Sequence, residues 1–294
     1  MANSRQQQLS TKAQRRAAQR SEEMRKQQAV ARRRTRLLVA GGVILVIVVV
    51  VGVLVAVGLN SSSSKSPSST AASTDVISSV TGVPQSTFDK IGAGDIKARP
   101  STISSTPLTQ NGKPRVLYAG AEYCPYCAAE RWAMVAALSR FGTFKDLGQT
   151  QSSGTDVYPN TATLSFHGAS YTSKYLAFTG LELQDTNGKT LDTPSPADGK
   201  LISKYDAQQY TGAQSGGIPF VLMGGKFVIS GASYDPAVLK GLSHQQIAQQ
   251  LSDPSSDVAK AVLGTANVIT SDLCQLTKNQ PAKVCSSPGV VAAK

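Results

Sequence analysis

Two cysteines one helical turn apart sit where an apolar strand gives way to a helix, in Ala121-Glu122-Tyr123-Cys124-Pro125-Tyr126-Cys127. The run Val116-Leu117-Tyr118-Ala119-Gly120 reads as the buried strand, and Ala128, Ala129, Trp132, Ala133, Val135, Ala136 and Leu138 read as the helix. The first turn of a helix has free N–H groups and the positive end of the dipole, so it favours an anion. Cys124 is the thiol exposed to that end, and it is expected to ionise readily and act as a nucleophile. Cys127 lies close enough to close a disulfide with it. Pro125 suits the first turn, where its missing N–H has no helical partner to lose.

A C-x-x-C pair alone also fits half a zinc site or a permanent structural bridge. Structural zinc takes four ligands, and the next cysteine is Cys274. His167 and His244 have no partner at ligand spacing, so no metal site is expected. The strand–CxxC–helix setting favours redox chemistry. No Gly-rich phosphate loop, Ser-His-Asp set or carboxylate pair stands out, so neither nucleotide nor hydrolase chemistry, and no cofactor, is expected.

A second stretch, Gly216-Gly217-Ile218-Pro219-Phe220-Val221-Leu222-Met223-Gly224-Gly225-Lys226-Phe227-Val228-Ile229-Ser230, reads as strand, Gly-Gly turn, strand. Pro219 opens the first strand, where a ladder N–H can be spared. With these two stretches the chain resembles the thioredoxin superfamily. Gly217-Ile218-Pro219 is similar to that superfamily's cis-proline strand, followed by its terminal β-hairpin. The resemblance implies an α/β, thioredoxin-like fold, a central mixed sheet flanked by helices. It implies that Pro219 is cis and packs against the cysteine pair. It also implies that the backbone of Ile218 pairs with an incoming substrate strand, with Pro125 and Tyr126 completing the substrate-binding set. From about Val76 to Cys285 the chain more closely resembles an uncharacterised, membrane-anchored bacterial family with a thioredoxin-like fold, a domain of unknown function. The active-site helix, Ser139–Phe144, Thr163–Gly168 and Gln280–Cys285 carry that likeness.

There are departures from the thioredoxin pattern. Tyr118 stands where a buried Asp would serve as proton acceptor, and Glu122 and Glu130 are expected to be solvated. Pro125-Tyr126 matches glutaredoxins. The absence of a histidine between the cysteines argues against an extreme oxidant. About 50 residues are inserted between Cys127 and Pro219, assigned to 169–214 as a lid or subdomain.

The N-terminal quarter has a different character. Residues 1–36 hold eleven Lys/Arg and two Glu, most of the chain's net +12. Leu37–Leu59 follows, uncharged and rich in Val, Ile and Leu, and a bilayer needs about 20 such residues. Arg32-Arg33-Arg34 and Arg36 abut its start. The positive-inside rule therefore expects a single-pass cell-membrane protein, with 1–36 a cytoplasmic tail and the rest extracytoplasmic. A cleaved signal peptide is the alternative, but its apolar region spans only about 7–15 residues. The tail has no aromatic residue or reading motif, so anionic lipid headgroups are expected to bind it rather than nucleic acid. Residues 60–75 are a Ser-rich linker, and 76–288 are the extracytoplasmic domain.

Within that domain, a short helix is expected to end at Gly92, and Asn111-Gly112 turns a hairpin. Thr161–Phe166 is expected to be the second central strand. Tyr171, Tyr175, Phe178, Tyr205 and Tyr210 either pack the insertion onto the domain or line a peptide groove. Ser243 caps a helix whose first turn exposes His244, and a longer helix from Asp257 leads to Cys274. With Cys124 and Cys127 joined, Cys274 and Cys285 are left for each other. A structural staple is expected, the alternative being a second redox pair. The expected function is a thiol–disulfide oxidoreductase acting on exported or membrane-attached proteins, recharged by an unidentified redox partner. A non-catalytic binding module with a permanent Cys124–Cys127 bridge is the alternative. A copper or haem-related chaperone is a third reading, and it would need His167 or Met223 beside the pair.

Overall fold

The structure, a computed structural model, describes residues 69–212 and 216–294. The basic tail, the apolar span 37–59 and residues 60–68 of the linker lie outside the described residues. Among the described residues no helix is long and apolar enough to cross a membrane.

The strands, in chain order, are β1 (Thr70–Ala71), β2 (Ser101–Thr102), β3 (Thr109–Gln110), β4 (Lys113–Gly120), β5 (Gly142–Lys145), β6 (Gly148–Gln151), β7 (Ala162–Ser165), β8 (Ser170–Ser173), β9 (Ala177–Glu182), β10 (Phe220–Met223) and β11 (Phe227–Ser230). The helices are α1 (Thr74–Thr81), α2 (Gln85–Ile91), α3 (Pro125–Leu138), α4 (Pro196–Tyr205), α5 (Gln208–Thr211), α6 (His244–Gln250), α7 (Asp257–Leu276), α8 (Ala282–Cys285) and α9 (Pro288–Ala292), with a 3₁₀ turn at Pro236–Leu239. The central sheet is mixed. β4 runs antiparallel to β10 and parallel to β9, β10 pairs with β11, and β11 pairs with β2. Asn111 (φ 51°) and Gly112 (φ 74°) close the β3–β4 hairpin, as the sequence leads one to expect.

Strand alternation splits the core in two. Val116, Tyr118, Val221, Met223 and Ile229 face α3 and α7. Ala119, Phe220, Leu222 and Val228 face the other way, toward Tyr205 and Leu201 of α4. α3 is buried on every side, from Cys127 to Leu138, which explains its small, almost uniformly apolar composition. The Trp132 indole N–H donates to the Ala162 carbonyl at 3.0 Å, and the Tyr234 hydroxyl donates to the Ala129 carbonyl at 2.6 Å.

Several expectations need correction. Thr161–Phe166 does contain a strand, but β7 belongs to a separate antiparallel sheet, β1-β6-β7. The parallel neighbour of β4 is β9, which lies inside the segment 169–214 assigned to an insertion. The apolar pattern hid it because β9 ends on a buried Glu182 and carries Gly180, which leaves room for the Phe166 side chain. Thr70–Ala71, expected in the linker, pairs with β6. At the other end α9 seats Val290 in the core, so the chain is ordered past 288.

The aromatic residues of 169–214 pack. Tyr171 and Phe178 stack in one cluster with Phe144 and Phe166, and Tyr205 pairs with Tyr210 on the opposite face. His244 is not a free surface side chain. Its Nε2–H reaches the Thr150 and Thr163 carbonyls at 2.8 and 3.0 Å, which ties α6 to the small sheet. Cys274 and Cys285 form a disulfide between α7 and α8, and both are buried.

Glu122 and Glu130 are fully buried, not solvated. A helix covered on all sides offers its charged positions no exposed face. Glu122 accepts from the Ser165 hydroxyl at 2.6 Å. Glu130 accepts from the Ser233 N–H at 2.8 Å and its hydroxyl at 3.1 Å. Burial lifts the Glu130 carboxyl from 4.5 to about 7, against the pull of those two bonds. The folded state thus holds this proton more tightly than the unfolded chain. The stability it contributes is full below pH 4.5 and is lost as pH rises through about 7. Glu130→Gln can keep both Ser233 contacts without ionising. It should flatten the fall in melting temperature across that window and be more stable than wild type at pH 8 by about 2–3 kcal/mol. Thermal melts at pH 5 and pH 8 measure both effects.

Candidate active site

β4 delivers the chain to Gly120, and four residues later Cys124 is the N-cap of α3. Its φ/ψ of −81°/122° is extended, and its Sγ accepts the Cys127 N–H at 3.4 Å. A sulfur thus takes the place of the usual capping oxygen. Pro125 occupies the first turn, as its chemistry favours. Both cysteines are thiols here, Cys124 at 6% exposure and Cys127 at 0%.

The two thiols are driven apart. The Cys124 thiol is lowered from 9 to about 7, first by a hydrogen bond from the Cys127 thiol. Burial opposes this, and the Cys127 and Tyr126 N–H groups and the Arg131 charge add to it. The Cys127 thiol is raised well above 9, chiefly by burial and then by its bond to Cys124. One sulfur is therefore a ready thiolate near neutral pH, and the other is a protonated reserve.

Across from them the Ile218–Pro219 bond is cis. The Ile218 carbonyl lies 3.8 Å from Cys124 Sγ and accepts from it. Pro219 is buried and Ile218 is partly exposed. Tyr126 is 39% exposed and meets the Tyr158 ring edge-on at 6.1 Å. The structure thus gathers Cys124, Cys127, Pro125, Tyr126, Ile218 and Pro219 at one end of the central sheet. Met223 lies at the far end of β10, opposite Val116, and His167 is bonded to Asp192 at 2.8 Å. The first is thus remote from the thiols, and the second has a ring nitrogen committed to a carboxylate. Among the described residues no group of three His, Cys, Asp or Glu side chains could hold a metal ion.

The family described as Domain of unknown function (DUF929) matches residues 99–275, more than half of the chain, with Cys124, Cys127 and Ile218-Pro219 inside the match. The chain belongs to the DUF929 family. No curated protein and no solved structure matches it.

Two features of the DUF929 site escaped the sequence reading. An open cleft of about 800 Å³ borders Tyr123, walled by the 153–157 loop and the 184–188 turn. Both walls are hooked to the approach to the thiols. The Ser153 N–H donates to the Tyr123 carbonyl, and the Glu122 N–H donates to the Gln184 carbonyl, each at 2.8 Å. The second feature lies underneath. Arg131 forks onto Glu182 at 2.8 and 2.7 Å, with both side chains fully buried. The available signal was the pair Glu130-Arg131, the only charges within a helix of small and apolar residues.

The split between the thiols is measurable. Iodoacetamide should label Cys124 of the reduced protein with a midpoint near pH 7. Cys127 should stay unlabelled up to pH 9, as read by peptide mass spectrometry across a pH series.

Proposed function

We propose that this DUF929 protein is a membrane-tethered, extracytoplasmic thiol–disulfide oxidoreductase on a thioredoxin-like fold. The observation that carries the reading is the position of Cys124 Sγ, capping a helix and facing the carbonyl of a residue bonded to a cis-proline. A central mixed sheet, a dithiol helix after an inner strand and a hairpin entered through that proline all resemble the thioredoxin superfamily. The residues added to that pattern are then 139–176 and the connection from β9 to β10, so β9 interrupts the segment 169–214.

The chemistry is disulfide exchange. The Cys124 thiolate attacks one sulfur of a substrate disulfide, whose S–S bond breaks. The departing sulfur takes the electron pair and a proton. Cys127 then attacks Cys124 Sγ and breaks the mixed disulfide. The substrate leaves as a dithiol, and Cys124–Cys127 is oxidised. The same steps reversed deliver a disulfide to a substrate, so the reduction potential sets the direction. Pro125, Tyr126, Ile218 and Pro219 border the thiols, where an extended substrate strand would lie.

The setting supports exported or membrane-attached proteins as substrates. Arg32–Arg34 before the 37–59 span puts the domain outside, with the tail at anionic headgroups. The Cys274–Cys285 disulfide suits an oxidising compartment.

The detergent-solubilised full chain should show a Cys124–Cys127 potential between about −120 and −270 mV, the range of catalytic pairs. Cys127→Ser should trap mixed disulfides that Cys124→Ser does not. A potential below about −300 mV, with no trapped species, would make the pair a structural bridge and the protein a binding module.

A further inference from the structure

Two buried hydrogen-bond donors in the layer between β4, β9 and α3 have no partner among the described residues. They are the Tyr118 hydroxyl and Nη1 of Arg131. Both residues are 0% exposed. Buried donors are normally bonded, because folding strips their water. Two orphans in one layer suggest an acceptor that exists in another state of the protein.

Their positions follow from sequence and register. Arg131 comes four residues after Cys127 on α3, so the two side chains share a helix face. The rest of its guanidinium is committed. Nε and Nη2 hold Glu182, and Nη2 also donates to the Ala121 carbonyl at 2.7 Å. Glu182 is fixed in turn by the Phe166 N–H at 3.4 Å. Tyr118 and Gly120 point to one face of β4, opposite Gly180 and Glu182 of β9, and Tyr118 packs in the core on the α3 side. Gly120 has no side chain, and a Cβ there would collide with the Tyr118 oxygen. The phenol therefore lies along the strand toward the end that leads into the dithiol. The acceptor-forming group nearest in chemistry is Cys127, which the exchange cycle turns into a buried anion.

Resting on the exchange reading above, we propose that Tyr118 and Arg131 are the donors that hold Cys127 as a thiolate while it resolves the mixed disulfide. In that step the Cys127 thiol gives up its proton and its sulfur bonds to Cys124 Sγ. The bond from Cys124 to the substrate sulfur breaks, and the departing substrate thiolate gains a proton. No outside oxidant is consumed. The step needs help, because burial holds the Cys127 proton on, and the Arg131 charge works against that effect. This position in β4 is a phenol and not a carboxylate, so it supports the anion by donation instead of taking the proton.

The reduced full-length protein in detergent, mixed with 5,5′-dithiobis(2-nitrobenzoate), tests the assignment. The first thionitrobenzoate released reports attack by Cys124. The second, released intramolecularly, reports Cys127. Tyr118→Phe should leave the first phase and the melting temperature unchanged or improved, since it removes only an unbonded hydroxyl. It should slow the second phase about tenfold at pH 7, as for a thiol pKa raised by one unit, with the deficit closing as pH rises. An unchanged second phase, or a deficit constant with pH, would overturn the assignment and leave the exchange reading standing. A wild-type protein that releases no second thionitrobenzoate would overturn both.

Discussion

Everything in this domain is arranged around a helix that is buried on every side from Cys127 to Leu138. α3 is covered by the central sheet, by β7 of the small sheet and by α7. Full burial makes a partner inside the protein valuable to every polar group on the helix, and most of them have one. Glu130 is met by Ser233, the Ala128 carbonyl by the Thr163 hydroxyl and the Ala129 carbonyl by Tyr234. Those partners come from two places, strand β7 and the segment that follows β11, so the helix also fixes where they run.

The charged groups show which effect wins. Burying a carboxylate or a guanidinium alone costs several kcal/mol, and a pair recovers this only with good geometry. Arg131 and Glu182 meet that condition with a two-bond fork, and the Ala121 carbonyl and Phe166 N–H bind the outer atoms. The fork joins α3 to β9 and sets their register just below the thiols. A pair of apolar residues would hold the layers together as well, but would put no charge there. The positive group lies under Cys127, and its field reaches both sulfurs.

The asymmetry of the thiols comes from a displacement of one turn along that helix. Cys124 is at the cap, with N–H groups aimed at it, while Cys127 is a turn deeper and has no water. The proposed exchange uses both environments in turn, one for attack and the other for resolution. The 153–157 loop and the 184–188 turn stand beside Tyr123 and wall a cleft that a substrate could enter.

The sequence by itself determined the strand–CxxC–helix unit, the Asn111-Gly112 hairpin, the β10–β11 hairpin behind Ile218-Pro219 and the capped helix at Ser243. Each rests on neighbours close in the chain, whose periodicity or turn chemistry is written locally. Tertiary structure alone decided that Glu122 and Glu130 are buried, that His244 is bonded and that β9 is the parallel neighbour of β4. The same holds for the meeting of Glu182 with Arg131, 51 residues apart. A charge reads as solvated until a partner distant in sequence arrives, and only the fold brings that partner. β9 was hidden for this reason, because its buried glutamate makes sense only once the arginine of α3 lies over it.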